Sequence, residues 1–364
     1  MLARQASSRS PAELMYAEEN ELFERLVSVV NVSSTDIAGD GLSGRSDEDL
    51  YPLTDEYRAI SGLSTEQRKS VITKEILARR WGIGLDTAHR TLTATTQMGL
   101  RRVLHPTERR YRTRQSHLRF PNLNMTMYTD TMFATVKSTR GNTCAQIFTD
   151  GQGFDTFDPM KGKGEAPDAL MKVIRNVGIM KDLVSDGAPE ETRGRWEETV
   201  NEFRIRQKRS EPYSQWQNRA ESSIREIKKG IKRATRRANS PMRLWDYCGE
   251  WVAAIRRLTA HPIPSLNDRV PAERIEGNTP DISEYAQFDW YEHVWYIDPS
   301  VQFPEDQKRL GRWIGVAHDV GQAMTSWVLP ASCRPIARSS VTPLTDDERQ
   351  NPDIQERLRE LDEA

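Results

Sequence analysis

The stretch PYSQWQNRAESSIREIKKGIKRATRR, Pro212 to Arg237, sets one carboxylate, Glu221, at the head of a strongly basic helix. On a helix, Glu221, Arg225, Lys228, Lys232 and Arg236 follow spacings of four, three, four and four, so they share a face. Ile224, Ile227, Ile231 and Ala234 form a neighbouring apolar stripe suited to packing on a core. Taken alone, such a helix is a solvated charged surface. A single acid among cations also suits a place where a metal ion meets a polyanion, and what lies upstream decides between the two.

Upstream, strand-like runs alternate with turns. NMTMYTDTMFATV carries Asp130 near its middle, Arg140-Gly141-Asn142 reads as a turn, and TCAQIFTD ends at Asp150. FDTFDPM (Phe154 to Met160) is a third strand, Glu165 to Val177 a helix, and MKDLVSD a short strand ending at Asp186. Three antiparallel strands, then a crossover helix and a strand parallel to the sheet, give a ribonuclease H-like α/β layout, a mixed sheet flanked by helices. In that layout Asp130, Asp186 and Glu221 converge. Clustered carboxylates repel one another unless a divalent cation neutralises them, and hard oxygen ligands select Mg²⁺ or Mn²⁺. Two such ions, about 3.5–4 Å apart, can activate an attacking hydroxyl and stabilise the leaving oxygen of a phosphoryl transfer. Singly, each acid has a plainer reading: Asp130 as an edge-strand acid, Asp186 as a turn residue before Gly187, Glu221 as a first-turn acid favoured by the helix dipole. Asp150 is assigned the turn-forming role.

The formal charge of −1 over 364 residues hides an asymmetry. Residues 1–60 carry 12 acids against 5 Lys/Arg, and Thr345 to Ala364 carry 8 against 3. Arg101 to Arg119 hold seven Arg against one Glu, and Arg225 to Arg237 hold seven Lys/Arg against one Glu. The middle of the chain is therefore the expected nucleic-acid surface, with Arg109, Arg110, Arg112 and Arg114 in one basic segment and Arg225, Lys228, Lys229, Lys232 and Arg236 in the other. Residues 1–62 read as a mostly disordered acidic region, with one amphipathic helix possible between Glu18 and Val30. Residues 63–100 read as a small helical domain of helix-turn-helix type. Its core would be Ile72, Ile76, Leu77, Ile83, Ala88 and Leu92, its last helix capped by Asp86 or Thr87, with His89, Arg90 and Thr93 outward. Three scattered cysteines, Cys144, Cys248 and Cys333, suit neither a disulfide framework nor a zinc knuckle, and point to a reducing compartment. Neither a secretory signal nor an apolar run of membrane-spanning length is evident, so a soluble intracellular protein is expected, with no membrane partner.

The ordered blocks MYTDTMF, FTDGQGF, DPMKGKGEAPDAL, LVSDGAPE and PYSQWQNRAE resemble the integrase core of copia-type LTR retrotransposons, in the DDE transferase family. RLWDYCGEWVAAIRRLTA, PAERIEGNTPDIS and LGRWIGVAHDVGQAMTSWVLPASCRPIARSSVTPL resemble the segments that follow that core, so the likeness runs from about Thr126 to Leu344. The resemblance implies that Asp130, Asp186 and Glu221 are the metal-binding catalytic triad, with Mg²⁺ or Mn²⁺, two ions, as cofactor. It implies that Gln217 and Asn218 lie near the active-site loop and substrate. It also implies double-stranded DNA partners, both element cDNA ends and target DNA, a homo-oligomer, and action in the nucleus. A catalytically silent DNA-binding remnant and a nuclease that cuts without joining stay open beside the integrase reading.

Two departures matter. The interval between Asp186 and Glu221 holds 34 residues, one fewer than the family pattern, and QNRAE replaces a longer QNGVAE. The family's amino-terminal zinc module needs a C-x-x-C pair that this chain lacks, so no zinc is expected. The expected organisation is 1–62 acidic region, 63–100 helical domain, 101–120 basic linker, 121–262 catalytic core, 263–344 β-rich module and 345–364 acidic tail. With neither a protease-like nor a reverse-transcriptase region in view, the chain reads as an integrase-bearing fragment of a Gag-Pol-like polyprotein, or a standalone remnant.

Overall fold

The computed structural model describes residues 72–103, 121–210, 219–263, 266–267, 269–320 and 324–363. The expectations for residues 1–62, for the first part of the helical domain up to residue 71, for Arg109, Arg110, Arg112 and Arg114, and for Gln217 and Asn218 lie outside them. Three helices come first: α1 (Lys74–Trp81), α2 (Leu85–Ala94) and α3 (Met98–Val103). Then follow β1 (Asn122–Phe133), β2 (Cys144–Thr149), β3 (Asp155–Met160), α4 (Ala166–Asn176), β4 (Ile179–Ser185), α5 (Arg195–Glu202), β5 (Arg206–Arg209), α6 (Arg219–Ala238) and α7 (Trp245–Leu258). After the short α8 (Pro271–Glu276) and α9 (Ser283–Ala286) come β6 (His293–Ile297), β7 (Lys308–Val316), β8 (Ser326–Leu329), β9 (Ile336–Arg338), β10 (Val341–Pro343), α10 (Asp346–Gln350) and α11 (Pro352–Glu363).

The first sheet has the order β3-β2-β1-β4-β5. β1, β2 and β3 pair antiparallel, while β4 runs parallel to β1 and β5 parallel to β4. That is the ribonuclease H-like arrangement. Strand β2 is buried along its whole length, which is why CAQIFT reads as an almost unbroken apolar run. Cross-strand partners share a face, so Tyr128, Ile147, Thr149 and Phe157 look one way and Thr129, Gln146 and Phe148 the other.

α6 and α7 cover the first face. Ser223 Oγ donates to Thr149 Oγ1 at 3.0 Å, and Phe157 meets Trp245 edge-on at 6.2 Å. α4 and α5 cover the second, where Phe148 stacks on the fully buried Trp196 at 6.3 Å and Lys172 pairs with Asp158 at 3.1 Å. α7 is close to two-sided in its burial, because beyond the sheet its Trp251 also meets Trp290 at 5.8 Å and Trp313 at 6.5 Å. Trp313 belongs to the second sheet, an antiparallel one of order β10-β6-β7-β8-β9. The acidic stretch after it is helical: Thr345 and Glu348 form a reciprocal capping box, and Ile354, Leu358 and Leu361 pack on Trp295, Leu310 and Leu344.

In the amino-terminal helices Ile72, Leu77 and Ala88 are buried, with Ile76, Ile83 and Leu92 packed against them. Gly82, at φ 64°, closes α1 in the left-handed conformation that a side chain resists. The expected cap at Asp86 or Thr87 is corrected: α2 starts earlier, with Gly84 at its N-cap and no side-chain cap bond, so both residues fall inside the first turn. His89 and Thr93 are exposed as expected, whereas Arg90 is half-buried. These helices are clamped to later segments. Gly99 N donates to Asp281 Oδ2 at 2.7 Å, Leu100 N to Ser283 Oγ at 3.0 Å, and Arg237 of α6 to the Arg80 carbonyl at 2.8 Å. Among the described residues no helix is long and apolar enough to cross a membrane.

α7 approaches the sheet closely at Gly249, where a Cβ would stand 2.3 Å from Phe157 Cζ. Gly249→Ala should therefore destabilise by about 1–3 kcal/mol through overpacking, despite the better helix propensity of alanine. A denaturant titration checks this, and a stabilised variant would mean that α7 does not press on β3.

Candidate active site

Asp130 owes its place to strand register. Tyr128 of β1 pairs with Val184 of β4 in a parallel ladder, so two residues further along each strand Asp130 and Asp186 come level at the same end of the sheet. Side-chain alternation puts Asp130 on the face of Tyr128, the face that α6 covers. β4 ends at Ser185, and the chain turns at Gly187 with φ 84°. Asp186 Oδ1 caps that turn by accepting from Ala188 N at 3.0 Å, so its turn-forming role is real. Asp186 is nonetheless exposed, with its second oxygen directed to no described partner.

α6 is seated by small and aromatic contacts. Its buried stripe is Ala220, Ser223, Ile224, Ile227, Gly230, Ile231, Ala234 and Thr235, which includes the four stripe residues expected from the sequence. Arg219 lies over the Tyr128 ring at 5.6 Å. Its stem passes where Gly151 would otherwise carry a Cβ, only 2.3 Å away, so the DGQG turn after β2 must be bare there. This seating puts Glu221 in the first turn of α6, partly buried on the acid side of the sheet.

The carboxyl of Asp130 registers the two other expected acids. The Asp130 carboxyl is pushed up to about 6, first by burial, against a hydrogen bond from Thr131 N at 2.7 Å. The negative charges of Asp186 and Glu221 push it further, and Lys163 opposes them. Asp130 thus feels both of the other expected acids. The three are not drawn into a closed cage: among the described residues no group of three or more His, Cys, Asp or Glu is already close enough to hold a metal. The donor chemistry fits a hard divalent cation, since mutually repelling carboxylates, one of them half-neutralised near pH 6, are relieved by positive charge.

The expected DNA-facing cations of α6, Arg225, Lys228, Lys229, Lys232 and Arg236, are all exposed. Lys229 pairs with Glu226 at 2.8 Å; the other four make no ion pair with described residues. Asp150 behaves as the sequence indicated, its Oδ1 accepting from Gln152 N and Phe154 N at 2.7 and 3.0 Å. Its other oxygen takes Arg274 of α8 at 2.7 Å.

Two residues at this end of the sheet escape a sequence reading. Glu191 is 1% exposed, accepts from Gln146 Nε2 at 2.7 Å, and has a second oxygen without a hydrogen-bond partner among the described residues. Burial pushes its carboxyl up to about 8, with Asp186, Asp130 and Glu190 adding to the rise. Lys163 is the other, and its amino group sits 2.5 Å from Glu190 Oε1. The doubled acid of GAPEE hints at Glu191, but nothing in the sequence tells which of Glu190 and Glu191 turns inward.

No family model matches this chain, and no curated protein does. Among solved structures, the HTLV-2 integrase catalytic core domain in complex with magnesium, in a trimeric form, is similar at 16% identity and TM-score 0.34, covering 43% of this chain and 99% of that one. The catalytic core domain of BIV integrase is similar at 14% identity and TM-score 0.34, covering 43% and 95%.

Glu191 yields a pH prediction. Its folded-state value lies above the ordinary 4.5, so between that value and about 8 the native protein holds a proton that the unfolded chain has lost. Stability should therefore fall as pH rises through that window, by an amount on the order of a few kcal/mol. In metal-free denaturant titrations at pH 5 and pH 8, Glu191→Gln should remove most of that decline, and an unchanged decline would locate it elsewhere.

Proposed function

We propose that this chain is a divalent-metal-dependent polynucleotidyl transferase of the copia-type retrotransposon integrase class, acting on double-stranded DNA. The observation that carries the reading is that Asp130 of β1 lies level with Asp186, the first residue beyond the parallel strand β4, with Glu221 of α6 acting on the Asp130 carboxyl. Asp130, Asp186 and Glu221 would hold Mg²⁺ or Mn²⁺, whose chemistry there is to activate an attacking oxygen and stabilise a leaving one. The exposed cations of α6 lie along the helix that carries Glu221 in its first turn, so a DNA backbone held against them is led to the acids. In the first reaction water attacks a phosphodiester near a cDNA 3′ end, releasing the terminal nucleotides and leaving a 3′-hydroxyl. In the second that hydroxyl attacks a target phosphodiester, one P–O bond forming as another breaks. Joining two ends to one target calls for two active sites, hence a homo-oligomer, and chromosomal target DNA calls for action in the nucleus.

A second reading, a silent DNA-binding remnant, draws support from the open spacing of the acids among the described residues. Strand transfer with a short duplex bearing a recessed 3′ end and Mg²⁺ or Mn²⁺, run beside Asp186→Asn, separates the readings. Metal-dependent joining that Asp186→Asn abolishes is the expected result; cleavage without joining points to a nuclease, and tight DNA binding without chemistry to the remnant. Glu221→Gln should lose catalysis at nearly unchanged stability, since Glu221 pairs with no described cation. Unfolding of that variant would reassign Glu221 to the fold. For the basic face, Lys228→Ala with Lys232→Ala should lower the slope of log K against log salt by about two, since each phosphate that a lysine neutralises accounts for about one.

A further inference from the structure

Lys163 occupies the turn that carries the chain from β3 into α4. Glycines flank it on both sides, and a Cβ on Gly162 or Gly164 would meet nothing within 4 Å, so the turn stands in open space. Its base is fixed: Lys161 N donates to Glu165 Oε2 at 2.8 Å, and Thr143 Oγ1 to the Lys161 carbonyl at 2.8 Å. Its tip reaches the acid end of the sheet. The ammonium lies 2.5 Å from Glu190 Oε1 and 5.2 Å from the centre of the Phe133 ring. Phe133 follows Asp130 by three residues on β1, and Glu190 follows Asp186 by four, so Lys163 is held between the two strand ends that carry the candidate acids.

A stability role accounts poorly for this placement. The Lys163 side chain is 48% exposed, and ion pairs of that kind contribute about 0–1 kcal/mol. Flanking glycines add backbone entropy to be lost on folding. What a lysine on a bare turn does supply is a mobile point charge with three donors, within electrostatic reach of Asp130 and Asp186.

Resting on the transferase reading, we propose that Lys163 is a phosphate-contacting residue of the active site. In the free protein its ammonium rests on Glu190; with DNA bound it donates to a non-bridging oxygen of the phosphodiester lying over Asp130 and Asp186. The phosphate thus gains a cation from the β3–α4 turn in addition to those of α6.

The test uses the 364-residue chain and a short duplex with a recessed 3′ end. In EDTA, the slope of log K against log salt should fall by about one in Lys163→Ala and return in Lys163→Arg. An unchanged slope overturns the proposal whether or not the protein joins DNA. Glu190→Gln separates direct phosphate binding from scaffolding, because freeing the ammonium should keep the wild-type slope and leave binding no weaker. Equal losses in Glu190→Gln and Lys163→Ala would instead mark the pair as structural and overturn the proposal. With metal present, Lys163→Ala should slow joining by about 10²-fold, as loss of one charge-stabilising donor does, with partial recovery in Lys163→Arg. Joining at the wild-type rate in Lys163→Ala overturns the proposal while leaving the transferase reading intact; failure of the wild type to join overturns that reading, and the EDTA slope still decides on Lys163.

Discussion

The parallel pairing of β1 with β4 is the constraint on which the rest depends. A parallel neighbour cannot be reached by a hairpin, so the chain must cross over through α4, and that helix covers one face of the sheet on the way. The same pairing sets the register, Tyr128 opposite Val184, that brings Asp130 level with Asp186. A slip of one residue would turn Asp130 to the other face, away from α6. Fold and candidate chemistry therefore share one ladder of hydrogen bonds.

The two faces of that sheet are treated differently. On the α6 side Ser223 meets Thr149 through a small, close contact, and a helix with seven cations between Arg225 and Arg237 lies near the sheet with each of those cations exposed. On the α4 side Gln146 donates to both Thr129 Oγ1 and Glu191 Oε1, each at 2.7 Å. That polar chain runs beneath Asp130, and Glu191 is destabilised by being shut away from water. Burial thus keeps Glu191 protonated near neutral pH, and the negative charge at this end of the sheet comes from the acids on the α6 side and at the end of β4.

α7 and the segment after it tie the second sheet and the amino-terminal helices to this core. Trp251 is shared between Trp290 and Trp313, and Asp281 and Ser283 accept from the backbone of α3. The PDIS motif thus anchors a helix from far earlier in the chain, and Arg237, at the end of the basic helix, is drawn into the same junction through the carbonyls of Arg79 and Arg80. The outward cations of α6 keep their freedom because its apolar stripe and its last arginine together hold the helix in place.

Much of this was legible from residues alone. The strand-like runs between turn residues and the three-to-four spacing of Ile224, Ile227, Ile231 and Ala234 are local patterns, set by turn chemistry and helix pitch, and they determined the order of elements, the sheet type and the buried stripe of α6. Charge counts marked the basic face in the same way. The N-cap at Gly84 was not legible, because Asp86 and Thr87 carry the capping side chains and a glycine cap leaves no side-chain signal. The level placement of Asp130 and Asp186, the inward turn of Glu191 and the reach of Lys163 to Glu190 were decided by tertiary structure alone. Each depends on register or approach between segments distant in the chain, and no local pattern of residues encodes that distance.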